Sequence, residues 1–156
     1  MEIINYYEKM PKKFLLQTEN PNVHLHGFKI PMRACIVAPS GSGKTNFLLN
    51  MLHLFSKGEG TWGSLHIITA NANEPLYDYL KSKNKRISIK EGLGNLPILD
   101  EMDKEINNLV VLDDLVLSKN LSAVETYYVR ARKMNTSVIF ISQSYFRIPK
   151  IIRNNC

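Results

Sequence analysis

Five short apolar runs, spaced by stretches of helical length, set the tightest limit on how this chain folds. The runs are RACIVA (33–38), SLHIIT (64–69), RISI (86–89), NLVVLD (108–113) and TSVIFIS (136–142). They are rich in β-branched residues, and most are nearly continuous apolar stretches, the pattern of strands covered on both faces. Between them, TNFLLNMLHLF (45–55), EPLYDYLKSK (74–83) and AVETYYVRARK (123–133) carry the apolar spacing of helices. The last opens with Ser122 and Glu125 in capping-box register. Strand and helix in alternation predict an α/β fold around a mainly parallel sheet, because parallel strands need crossovers and helical crossovers cover the sheet. A chain of 156 residues, 44% apolar, buries one core, so residues 32–156 are expected to form one domain. Residues 1–31 read as an N-terminal arm, in which VHLHGFKI (23–30) alternates like an edge strand.

Twenty Lys and Arg against fourteen Asp and Glu give a net charge of +6, which favours an anionic partner such as nucleic acid. Cys35, inside an apolar run, and Cys156, at the last position, offer neither a disulfide framework nor metal-ligand spacing. The opening MEIINYYEKMPKK lacks a signal-peptide core, and no run reaches the ~18 apolar residues of a membrane span. These features predict a soluble intracellular protein in a reducing compartment.

The octapeptide APSGSGKT (38–45) lies directly after one predicted strand and directly before a predicted helix. That context is what a phosphate-binding P-loop requires. Gly41 and Gly43 allow the backbone to turn its N–H groups toward an anion, and the helix that follows adds the positive end of its dipole. The nucleotide cradle therefore comprises Pro39, Ser40, Gly41, Ser42, Gly43, Lys44, Thr45 and Asn46. Lys44 supplies a cation for the β- and γ-phosphates of ATP, and the Thr45 hydroxyl a ligand for Mg²⁺. Ala38 replaces the glycine that often opens the motif, where a small residue suffices.

Further along, NLVVLDDL runs an apolar strand into Asp113 and Asp114, the form of a Walker B segment. Asp113 is expected to hold Mg²⁺, and Asp114 to act as the general base on an attacking water. Many related ATPases use glutamate there, whose reach is about one methylene longer. The strand TSVIFIS ends in Ser142 and Gln143; in additional-strand NTPases such a strand lies between the Walker A and Walker B strands, so Gln143 is expected beside the γ-phosphate.

These residues resemble the FtsK-HerA superfamily of P-loop ATPases, and within it the poxvirus-type genome-packaging ATPases of large DNA viruses. Three stretches carry the resemblance: APSGSGKTNFLLNML, LVVLDDL and VRARKMNTSVIFISQSYFRIPKIIRNNC. The first two are common among NTPases, and the third is much more specific. The resemblance implies a three-layer, RecA-like P-loop NTPase of the additional-strand type. It further implies a homo-oligomeric ring that uses ATP to drive double-stranded DNA into a capsid, working with a capsid or portal component. The corresponding location is the virion or the host-cell cytoplasm, with no membrane partner and no secretion. In that family a further apolar strand follows the RNN segment. Here the expectation is a sheet that either lacks this last strand or has its edge covered by an N-terminal strand such as 23–30.

Residues 117–156 hold seven basic side chains (Lys119, Arg130, Arg132, Lys133, Arg147, Lys150, Arg153) against one acid, Glu125. Ring ATPases often project an arginine into the neighbouring subunit's site from the position of Arg132 or Arg130. A second cluster, Lys81, Lys83, Lys85 and Arg86, is either a DNA-contacting track or a solvated face. His24 and His26 share one face of the expected strand without a third ligand nearby, which does not make a metal site. Two other functions compete with a motor: a P-loop kinase, which needs an acceptor-binding insertion that this chain lacks, and a nucleotide-gated scaffold with weak hydrolysis.

Overall fold

Each of the five apolar runs becomes a strand: β1 Arg33–Val37, β2 Ser64–Thr69, β3 Ser88–Glu91, β4 Asn108–Asp113 and β5 Thr136–Ser142. The structure, a computed structural model, describes residues 5–11, 20–115 and 121–156. The strands form one all-parallel sheet in the order β1-β5-β4-β2-β3. β5 thus lies between β1 and β4, as the reading of Gln143 required. β3 begins two residues later than expected, because Arg86 and Ile87 are held in a turn by Asn84, whose Oδ1 and carbonyl accept their N–H groups.

The helices are α1 Tyr6–Lys9, α2 Val23–His26, α3 Lys44–Phe55, α4 Pro75–Lys83, α5 Leu121–Arg130 and α6 Lys150–Arg153. Pro75 starts α4 with a φ already suited to a first helical turn. α5 ends at Arg130, before the expected end at residue 133. The chain tightens into a 3-10 turn over Ala131–Met134, which Asn135 ends at φ 47°. Ser122 sits inside α5 rather than capping it, and the residues before it (116–120) lie outside the described ones, Lys119 among them.

Strict alternation along the central strands builds two apolar layers. Leu109 and Val111 of β4 and Ile139 and Ile141 of β5 face α3 and α4, joining Leu48, Leu52 and Tyr77. Val110, Leu112, Val138 and Phe140 face the other way, onto Val124, Tyr128 and Ile152 of α5 and α6. All eight strand side chains are fully buried. Their burial, at about 1.5–3 kcal/mol each, is what sets the register, since a slip of one residue would exchange the two layers.

Two sequence expectations change here. VHLHGFKI is not an edge strand: Val23–His26 is a helical turn closed by Gly27 N–H donating to Val23 O at 2.7 Å. His26 then packs edge-on against Phe55 at 4.9 Å between ring centres, beside Phe28, and its Nε2 lies 3.3 Å from Thr61 Oγ1. His24 and His26 therefore do not share a strand face. β1 is left at the sheet's edge, with β5 its only strand partner among the described residues. The C-terminal segment folds back beside it: Arg33 Nη1 donates to Asn155 Oδ1 at 3.1 Å, and Cys35 Sγ lies 2.8 Å from Cys156 Sγ. The two cysteines, 121 positions apart, are neighbours after all. Spacing in sequence gives no hint of a contact made across a sheet edge.

Candidate functional site

At the C-terminal ends of β1, β4 and β5 the chain leaves the sheet in three turns that face one another. The first, 38–43, carries Gly41 at φ 74° and Gly43 at φ 85°. Any Cβ there would meet no atom within 4 Å, so backbone conformation rather than crowding calls for glycine. Ser42 N–H and Oγ–H both donate to Pro39 O, at 3.3 and 2.6 Å. Lys44 Nζ donates to the same carbonyl at 2.8 Å. The loop is thereby folded over its own cation, which a stronger anionic acceptor can take from a neutral carbonyl.

Across from the loop, pairing aligns the strand ends in one row: Val37 opposite Ser142, Ile141 opposite Asp113, Asp113 opposite Thr69, and Thr69 opposite Glu91. Asp113 has the parity of Leu109 and Val111, so it turns toward α3 and α4. Its Oδ2 accepts from Tyr77 Oη at 2.7 Å and from Thr69 Oγ1 at 3.2 Å. Burial raises the Asp113 pKa, and Asp114 adds to that, while Tyr77, Thr69 and Lys44 oppose it. Tyr77 is fully buried, and its phenol is pushed up, first by burial and then by the adjacent carboxylate. It stays a neutral donor. Both bonds fall on Oδ2, which leaves the other oxygen free to face a cation.

Asp114 follows at φ 55°, a conformation uncommon outside glycine, asparagine and aspartate. Its N–H donates to Ile141 O at 3.0 Å, extending the ladder one residue past β4. Its Oδ2 accepts from Gln143 Nε2 at 2.6 Å. Gln143 is set by a small turn: Ser142 Oγ donates to Ser144 O at 3.1 Å and accepts from Ser144 N–H at 3.2 Å.

One cleft of about 490 Å³ gathers these groups. Ser40, Gly41, Gly43, Lys44, Thr45, Asn46, Asp113, Asp114 and Gln143 line it, with Thr69, Asn71 and Glu74. Pro39 and Ser42 shape the loop from behind. Arg130 and Arg132 are not brought here. α5 returns from the cleft end to the start of β5, so both lie at the opposite end of the sheet, where Arg130 Nη2 pairs with Asp100 at 3.3 Å. Lys83, Lys85 and Arg86 also lie at that far end, past α4, with Lys83 over the Tyr79 ring. A hollow of about 660 Å³ between the ends of α3 and α4 is lined by Phe55, Trp62, Tyr79 and Lys83, away from the carboxylates.

Tyr77 and Thr69 are the site residues that sequence reading missed. Tyr77 reads as one more apolar position of a helix, and Thr69 as the last residue of a strand. The available signal was a hydroxyl at the end of the strand that pairs with β4. No protein-family model matches this chain, and no curated protein matches it. The chemistry of the cleft therefore rests on its own residues. Among the described residues, no helix is long and apolar enough to cross a membrane.

Proposed function

We propose that the chain is an ATP-hydrolysing P-loop NTPase of the additional-strand, RecA-like type. In this reading it acts as a motor that drives double-stranded DNA into a viral capsid. One observation carries the nucleotide reading: the left-handed glycine loop with Lys44 faces Asp113, Asp114 and Gln143 across a single cleft. Small-molecule binding at a switch between strand ends is the usual use of such a sheet.

Mg²⁺ fits the donor set, because Thr45 and the outward oxygen of Asp113 are hard oxygen ligands and the half-buried carboxylate lacks a full counter-charge. When bound, that ion would neutralise charge on the phosphates. The chain's own residues do the rest. Lys44 exchanges the Pro39 carbonyl for phosphate oxygen, and the loop N–H groups hold the remaining oxygens. Asp114 accepts the proton of the water that attacks the terminal phosphorus as the bond to the leaving ADP oxygen breaks. Gln143, already bonded to Asp114, orients that carboxylate.

The DNA half of the proposal rests on the net charge of +6 and on the resemblance of the VRARKMNTSVIFISQSYFRIPKIIRNNC stretch. In a ring, Arg132 or Arg130 would complete the site of a neighbouring subunit, since neither serves the cleft of its own chain. Mixing Arg132→Ala with Lys44→Ala subunits tests this: activity should return in a mixture that co-assembles. The main experiment is ATP hydrolysis with and without duplex DNA. Stimulation by DNA, lost with Lys44→Ala, is the expected result. Nucleotide binding without DNA-coupled turnover would sink the motor and leave a nucleotide-gated scaffold. No Lys44-dependent nucleotide binding would sink the P-loop reading itself.

A further inference from the structure

Away from the cleft, β1 carries a second chemical feature. Cys35 points to the α5 and α6 face, packed against the layer that contains Tyr128 and Ile152. Cys156 reaches the same spot from the C-terminal segment. Their sulfurs lie 2.8 Å apart, Tyr128 Oη is 3.2 Å from Cys156 Sγ, and Cys156 Sγ donates to Ile152 O at 3.1 Å. Three bonding partners thus converge on Cys156, whose residue is exposed, while Cys35 is half-buried. Two thiols held this close by a strand and a helix are already at the separation from which a small shift makes a bond.

We propose that Cys35 and Cys156 are a redox-closed pair, joined by exchange with a small-molecule disulfide into an intramolecular bond that pins the C-terminal segment to the edge strand. The exposed Cys156 reacts first. Its thiolate attacks one sulfur of the small disulfide, forms a mixed disulfide and expels one thiolate. The Cys35 sulfur then attacks Cys156 Sγ and displaces the second thiolate. Net, two protein thiols become one disulfide. The two electrons reduce the reagent to two thiols, which take up the two protons. Burial pushes the Cys35 thiol up to about 12, so it meets free reagent poorly. Its step is intramolecular, and proximity compensates for the scarcity of its thiolate.

The position gives the bond a consequence. Residues 144–156 start next to Gln143 and end on β1, the strand that leads into the glycine loop. Closing the pair fixes the far end of this segment and fastens α6 over the one face of β1 that α3 does not cover.

The test treats the full chain with glutathione disulfide, then traps remaining thiols by alkylation and maps peptides by mass spectrometry without reduction. The expected product is a monomer two hydrogens lighter, with a Cys35–Cys156 cross-link. Its Tm should rise by roughly 10 °C, because the bond closes a long loop, and dithiothreitol should reverse the rise. Cys35→Ser should stop at a glutathione adduct on Cys156, and Cys156→Ser should stay unmodified. A wild-type chain that stops at a stable Cys156 adduct overturns the proposal. So does a cross-link between two chains, recovery of both thiols by alkylation, or a cross-link that leaves Tm unmoved. None of these readouts involves nucleotide, so the outcome is independent of the proposed function.

Discussion

Asp114 and Asn135 share a backbone conformation and little else. They are the non-glycine residues found at positive φ among the described ones, at 55° and 47°, at opposite ends of the sheet. Asn135 is buried, and its Nδ2 donates to Ile106 O at 2.8 Å and Lys104 O at 3.1 Å, tying the loop before β4 to the start of β5. Asp114 sits in an open cleft with a side-chain bond to Gln143. At one end the unfavourable conformation is anchored by an amide Nδ2 that bonds to the neighbouring loop. At the other it holds a carboxylate toward a space large enough for a ligand. Strain that surrounding bonds account for belongs to the fold; strain that they do not points to chemistry.

Substitution can break that contrast. The largest effect is expected for Asp114→Asn, which keeps a side chain that tolerates φ 55° and can still accept from Gln143. Turnover should fall about 10²- to 10⁴-fold while Tm and nucleotide affinity stay put. Hydrolysis at the parent rate would strip Asp114 of its role as base.

Asn135→Ala should do the reverse. It removes the amide's hydrogen bonds to the Lys104 and Ile106 carbonyls and puts at φ 47° a residue that tolerates it less readily than asparagine, for a loss of about 2–4 kcal/mol, or roughly 5–15 °C in Tm. Asn135→Gly, which relieves the conformation but not the lost bonds, should recover part of this. Equal Tm values for the alanine and glycine variants would mean that conformation contributes nothing.

Tyr77→Phe stands between the two, because Tyr77 is a core residue whose one polar atom belongs to the cleft. Half-saturation by Mg²⁺ in nucleotide binding should need about 10- to 100-fold more metal, with a stability loss near 1 kcal/mol. An unchanged metal requirement would make the hydroxyl a core feature only. The smallest effect on stability is expected for Asp113→Asn. A carboxylate whose pKa is raised on folding costs stability above its unfolded pKa, so at neutral pH removing the charge should lift Tm slightly while weakening Mg²⁺-dependent binding. A fall in Tm would show that Tyr77 and Thr69 more than offset burial.

Some of this was legible in the residues alone. β2, β4 and β5 run where the apolar stretches run, because strands covered on both faces are apolar at most interior positions and polar at their ends. The glycine loop, Lys44, Thr45, Asp113, Asp114 and Gln143 were legible as a group, since each sits at a strand end or helix start whose place in the sheet follows from alternation. VHLHGFKI misled because Val23 and Leu25, then Phe28 and Ile30, alternate with polar residues as in a strand, whereas His26 and Phe28 both meet Phe55. Tyr77 over Asp113 and Cys35 beside Cys156 were hidden for another reason. Each contact is made by packing between elements far apart in the chain, and no local pattern encodes it.

The place of β1 in the sheet also governs the order in which a growing chain becomes usable. Met32 N–H donates to Ser137 Oγ across 105 positions, and β1 pairs along its length with β5. A ribosome adding about 5–20 residues per second leaves β1 waiting roughly 5–20 s for its partner. The glycine loop is thus made early and seated late. Until β5 emerges, the nascent chain exposes an apolar strand without the strand it pairs with, the interval in which a chaperone has most to shield.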